Sequence, residues 1–119
     1  MAGLVIDASA GVALCFPDEQ SAYTDALLNT LNTTIVVAPE LWASVERAEQ
    51  ALLYLNSLPV QLVRPVSYNR LFHLARENNL TIYDAAYLDL ALRESCYLAT
   101  LDSALQRAAT AAEVRLFQL

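Results

Sequence analysis

The chain has 119 residues, 56% of them hydrophobic, with a mean hydropathy of +0.35. That supports one packed domain and contains no apolar run long enough to span a membrane. The formal net charge is −6 and all seven basic residues are arginine, which excludes broad electrostatic attraction to nucleic acid and every mechanism that needs a lysine.

The N-terminus lacks a charged segment followed by a long apolar one, so no signal peptide is read there. Cys15 and Cys96 stand far apart and outside any metal-ligand spacing. A disulfide framework is not expected, and a reducing cytoplasm fits.

Residues Gly3 to Ile6 are apolar and β-branched and read as a buried strand that ends at Asp7. Ser9 to Phe16 and Ser21 to Leu31 read as helices, the second on the spacing of Ala26, Leu27 and Leu31. Ile35 to Ala38 is a second strand, stopped by Pro39. From Glu40 to Leu55 the residues Leu41, Val45, Ala48, Leu52 and Leu55 form a helical stripe. Val60 to Val63 is a third strand and Ser67 to Asn78 a polar-faced helix. A helix from Ile82 to Ser95, a strand from Tyr97 to Thr100, a helix from Ser103 to Ala112 and a short strand from Val114 to Phe117 complete the chain. Strands alternating with helices predict a three-layer α/β/α domain with a central parallel sheet. With two glycines and no G-x-G arrangement, a dinucleotide-binding fingerprint is absent.

The helix beginning at Ile82 carries two aspartates. On a helical wheel Asp84 lies about 40° from Leu88 and about 20° from Ala91, in the middle of the apolar face. Asp89 lies roughly 140° away beside Arg93 and reads as half of a solvent-side i,i+4 pair. A buried carboxylate is costly, so Asp84 needs an explanation. One is local: Thr81 followed by Asp84 resembles a capping box.

The other explanation involves the rest of the chain. In parallel α/β sheets, ligands bind beyond the carboxyl ends of the strands. Asp7 follows the first strand and Asp102 the fourth, while Asp84 begins a helix that can point at the same edge. Each can also be read as a helix cap. Three carboxylates held together resist ionising simultaneously, and a divalent cation relieves that repulsion. Oxygen ligands without histidine or cysteine point to Mg2+ or Mn2+. Such an ion can activate water and stabilise the leaving oxygen of a phosphodiester.

Four segments occur in order: Leu4 to Ser9, Ala38 to Trp42, Leu80 to Leu88 and Leu98 to Asp102. Together they resemble a PIN domain, specifically the toxin ribonuclease of a VapBC-type toxin–antitoxin pair, over nearly the whole chain. The resemblance implies a Rossmann-like PIN domain acting as a Mg2+- or Mn2+-dependent endoribonuclease. It also implies a homodimer and a cognate antitoxin that blocks the site. Asp7, Asp84 and Asp102 match the family's metal-binding and catalytic acids. Ser9 and Thr100 match supporting polar neighbours.

One position departs from this pattern. The family places a glutamate three residues after the Leu-Trp pair, where this chain has Val45. Glu46 is one residue late, a turn of about 100° around a helix, and is the remaining candidate for a fourth acid. The family also has a second helix between its second and third strands, for which there is no room here. Residues Ala43 to Arg47 therefore look like a seam where roughly twenty residues are absent. Either the chain is a shortened, weakened member, or its numbering runs through an omitted segment. The second reading is preferred and predicts a Cα–Cα step far beyond about 3.8 Å near Ser44 to Arg47.

His73, the one histidine, reads as a surface or boundary residue. Trp42, Tyr83 and Tyr87 can stack on bases but read first as core or interface residues. Arg64, Arg70, Arg76, Arg93 and Arg107 are candidate phosphate contacts, and Cys15 reads as a small buried hydrophobe. The alternative to a ribonuclease is a PIN-like binding module lacking the glutamate. A receiver domain is disfavoured without a lysine. A haloacid dehalogenase-like phosphatase is disfavoured because the first strand leads into Asp7-Ala-Ser9 and not Asp-x-Asp.

Overall fold

A computed structural model of the chain describes residues 3–15, 21–31, 33–39, 61–64 and 67–118. Four strands form one sheet: β1 (Leu4–Ile6), β2 (Val36–Pro39), β3 (Gln61–Val63) and β4 (Tyr97–Ala99), in the order β3-β2-β1-β4. Every pairing is parallel, and Leu4 faces both Val36 and Tyr97 across the two ladders of β1. Among the described residues the helices are α1 (Ala8–Cys15), α2 (Ala22–Leu31), α3 (Tyr68–Asn78), α4 (Ile82–Glu94) and α5 (Ser103–Ala111). This is the three-layer α/β arrangement expected from the alternation of strands and helices.

Strand β1 sits at the centre because all three of its side chains are apolar and none is exposed. Burying a Leu, Val or Ile contributes about 1.5–3 kcal/mol, so even this short strand anchors the core. A side chain at Gly3, just before β1, would sit 2.9 Å from the Cys96 sulfur, so it would need the Cys96 side chain to shift. Val114 to Phe117, expected as a strand, forms a single parallel bridge, Leu98 to Leu116. The Leu98 N–H donates to the Arg115 carbonyl at 2.9 Å and the Phe117 N–H to the Leu98 carbonyl at 2.8 Å, so the segment still extends the sheet beyond β4.

Local capping sets where the helices start and stop. Ser67 caps α3, and the helix ends at Asn79 in the left-handed region (φ 55°), a conformation asparagine tolerates. Two residues later Thr81 caps α4, accepting the Asp84 N–H at 3.1 Å, which is the Thr81 half of the expected capping box. The three-residue link makes α3 and α4 an antiparallel hairpin, and α4 packs on β1, β2 and β4. Among the described residues no helix is long and apolar enough to cross a membrane.

Asp89 corrects the helical-wheel reading. It is not a solvent-side residue: it is fully buried, as is every residue from Ala85 to Ala91. The wheel assumed one wet face, but α4 lies between the sheet and α3. Arg93 does bond Asp89, at 2.9 Å. Arg70 of α3 supplies a second guanidinium to the other carboxylate oxygen. Arg70 and Arg93, candidate phosphate contacts by sequence, are thus engaged with Asp89, Arg70 across the helical hairpin and Arg93 within α4.

Other expectations sort by exposure. Tyr87 is buried and Tyr83 exposed. His73 is exposed and paired with Glu77 at 2.8 Å one turn on, and Cys96 is a free thiol. The seam at residues 43–47, the helix from Glu40 to Leu55, Trp42 and the side chain of Cys15 lie outside the described residues.

Asp89 is buried, while Arg70 is about half-exposed and Arg93 partly so, so water can take up the guanidinium groups once the carboxylate is gone. The variant Asp89→Ala, which removes two charge-assisted hydrogen bonds, is expected to lower unfolding free energy by about 1.5–3 kcal/mol. Urea denaturation measures it; a loss under about 1 kcal/mol would mean that the pair is solvated after all.

Candidate active site

The site begins where β1 ends. Asp7 is 2% exposed, immediately past Ile6 and just before α1. Its Oδ1 accepts the Ser9 hydroxyl at 2.7 Å and the Ala10 N–H at 2.9 Å, so it also caps the first turn of α1. Its Oδ2 accepts the hydroxyl of Thr100. The parallel register brings Thr100 there: Ile6 is level with Ala99, so the residues that follow the two strands stand side by side. The Asp7 N–H donates to the Ala99 carbonyl at 3.0 Å and fixes that register.

Thr100 and Ser9 also organise the neighbouring loop. Thr100 Oγ1 accepts the Asp102 N–H at 3.0 Å, and Ser9 Oγ accepts the Leu101 N–H at 2.9 Å. Asp102 is the N-cap of α5, with its Oδ2 accepting the Leu105 N–H at 2.9 Å. Asp84 is half-buried in the first turn of α4.

The carboxylates sense one another. Burial pushes the Asp7 carboxyl above its ordinary value of 3.8; the hydrogen bonds from Thr100, Ala10 and Ser9 oppose this, and the charge of Asp84 adds to it. Asp84 is likewise raised by burial and then by the charge of Asp102, with Thr81 opposing. Asp7, Asp84 and Asp102 therefore share one edge of the sheet, with Ser9 and Thr100 among them. Among the described residues, however, no three acidic, histidine or cysteine side chains converge closely enough to hold an ion unaided. Glu46, the candidate fourth acid, lies outside the described residues.

The family model for the PIN domain matches residues 4–111. The chain belongs to the PIN domain family. Members of this family are generally nucleases, and those nucleases usually use divalent metals. Among solved structures, PAE2754 from Pyrobaculum aerophilum is similar, with a TM-score of 0.65 and 21% identity over 90% of this chain and 79% of the other. At that identity the likeness concerns the fold. No curated protein matches the chain.

The donors of this PIN domain fit a hard divalent cation. Asp7 and Asp84 are carboxylates that burial and nearby negative charge disfavour as anions, and among the described residues no histidine or cysteine joins them to favour a softer metal. The hydroxyls of Ser9 and Thr100 aim the Asp7 oxygens without supplying positive charge. Asp7, Asp84 and Asp102 would supply oxygen ligands to such an ion but do not complete a site for it among the described residues.

Sequence reading missed one residue of this neighbourhood. Tyr23 of α2 is near enough to Asp7 to feel its charge; burial first and that charge second push the phenol up to about 12. The Thr100 backbone, close to the phenol oxygen but outside hydrogen-bond geometry, pulls weakly the other way. The hydroxyl itself is buried with no partner among the described residues. A signal existed, since Tyr23 lies four residues before Leu27 and eight before Leu31 on the buried stripe of α2.

Two measurements check this electrostatic picture. For an acid whose folded pKa is raised, the folded state binds more protons than the unfolded one between the two pKa values, so its charge destabilises the fold above that window. Metal-free Asp84→Asn should therefore melt higher than wild type at pH 7, and its advantage should shrink as pH falls toward 3.8; a lower melting temperature at pH 7 would contradict it. Tyr23→Phe removes an unsatisfied buried hydroxyl and should raise stability by up to about 1 kcal/mol in urea; a loss of that size would reveal a bond the hydroxyl does make.

Proposed function

We propose that this protein is a Mg2+- or Mn2+-dependent endoribonuclease, the toxin of a toxin–antitoxin pair. The observation that carries the reading is the gathering of Asp7, Asp84 and Asp102 at the carboxyl edge of a PIN-domain sheet. When bound, the ion would act as a Lewis acid, lowering the pKa of a water and neutralising charge on the phosphodiester.

The chain's own residues set the conditions for that chemistry. Thr100, Ser9 and the Ala10 N–H fix the Asp7 carboxylate in one orientation. Capping by Thr81 orders the first turn of α4 and so places Asp84. The N-cap bond to Leu105 places Asp102 at the head of α5. Exposed Tyr83 and Leu101 immediately precede Asp84 and Asp102 and give the edge an apolar rim.

The same reading includes a homodimer and a cognate antitoxin protein that covers the site. Tyr68 and Phe72, exposed one turn apart on α3, offer an apolar strip suited to a protein partner. A cytoplasmic location accords with a free cysteine.

A second reading rests on its own observation. Because no three ligating side chains converge among the described residues, a PIN-like binding module with a weakened metal site is the competing function. One experiment separates the two. Purified protein incubated with single-stranded RNA should cleave it only with Mg2+ or Mn2+, and Asp7→Asn should lower the rate at least a hundredfold. RNA binding without cleavage by wild type would favour the binding module; cleavage that survives Asp7→Asn would place the activity elsewhere.

A further inference from the structure

An open cavity of about 400 Å3 is lined by Tyr23, Gln106, Leu116, Phe117 and Gln118, a size that suits a small organic group. The lining has a distinct chemistry. Leu116 and Phe117 form an apolar floor, and the rings of Tyr23 and Phe117 meet edge-to-face with centroids 5.4 Å apart. Two amides complete the lining and no charged side chain takes part. The Gln106 Nε2 donates to the Thr100 carbonyl at 3.0 Å. A carbonyl only accepts, so this bond fixes which end of the amide is nitrogen and leaves Oε1 as an acceptor. Gln118 is exposed, with its amide available as donor and acceptor. The cavity suits a flat, uncharged group with hydrogen-bonding atoms around its rim.

Its position matters as much as its lining. The segment carrying Leu116 and Phe117 pairs with β4, and β4 pairs with β1, which ends at Asp7. Two strand spacings of about 4.8 Å thus separate the cavity floor from the strand that bears Asp7. The connection is also direct: Gln106 bonds the carbonyl of Thr100, whose hydroxyl bonds Asp7.

We propose that this cavity is a nucleobase pocket, seating one unpaired base of the RNA strand beside the nucleotide held at Asp7, Asp84 and Asp102. Gln106 reads an N–H on the base edge, and Tyr23 confines the base against Leu116 and Phe117. Single-stranded RNA is recognised in this manner, by aromatic packing and hydrogen bonds to base edges. The inference rests on the ribonuclease reading, and it adds a residue-level source of sequence preference.

The test separates binding from cleavage. In an Asp7→Asn background, four sets of fluorescein-labelled RNA hexamers, random except for one fixed base, are titrated by fluorescence polarisation. One fixed base should bind about tenfold tighter than the weakest, the scale of a lost edge contact. Gln106→Leu should reduce that spread to under twofold. Gln118→Leu, an exposed change that tests the pocket even if Gln106→Leu fails to fold, should narrow it. Four sets that bind within twofold of one another, or a spread that survives both substitutions, would overturn the proposal. A clear spread with no metal-dependent cleavage by wild type would retain the pocket and remove the ribonuclease reading; cleavage without a spread would do the reverse.

Discussion

The hydrogen bonding of one buried carboxylate, Asp7, ties the sheet to the site. It receives donors from Ser9, the Ala10 N–H and Thr100, which come from both sides of the β1–β4 ladder. Its position depends on the register of that ladder, because a one-residue slip would turn every side chain of the strand to the opposite face. The register depends in turn on the fully buried apolar run from Leu4 to Ile6. The site is therefore a consequence of how the core packs, and a core defect at β1 would misplace Asp7 relative to Thr100.

A second buried carboxylate, Asp89, makes the comparison informative. Asp89 is neutralised by the guanidinium groups of Arg70 and Arg93, and its charge is satisfied within the protein. Asp7 has only neutral donors and no cationic partner among the described residues. Burial raises its pKa, and the nearby charge of Asp84 adds to that. Neutral donors orient a carboxylate without cancelling its charge, which leaves it suited to an external cation. The described residues thus include two buried aspartates. One closes a helix hairpin, and the other has no cationic partner among them.

What the sequence revealed follows from how local each signal is. The strand ends at Asp7 and Thr100, the Thr81 cap and the spacing of Asp84 and Asp102 are short-range features, and the observed elements begin and end within a residue or two of the expected ones. Asp89 was misread because its burial depends on α3, nineteen residues back, folding over it and delivering Arg70. Tyr23 was missed for a related reason: its spacing marks it as buried, but only the tertiary fold places that buried face near Asp7. The terminal strand from Val114 to Phe117 was overcalled, because its apolar pattern yields one bridge at a sheet edge. Periodicity gives the face a residue occupies, while what covers that face is a property of the whole chain.

The charge distribution bears on how such a protein would hold RNA. With a net charge of −6, the mean field repels a polyanion. The arginines relieve this less than their number suggests, since Arg70 and Arg93 are committed to Asp89 and Arg115 lies against Tyr97. Phosphate contacts alone give affinity without sequence information. Neutral contacts meet neither difficulty: an aromatic wall and amide groups would bind a base without opposing the negative field, and would discriminate among bases as they did so. The pairing of Asp7 with Thr100, and of Thr100 with Gln106, links such a contact to the carboxylate edge through two hydrogen bonds. In an acidic nuclease, base recognition of this kind would position the strand at the carboxylates.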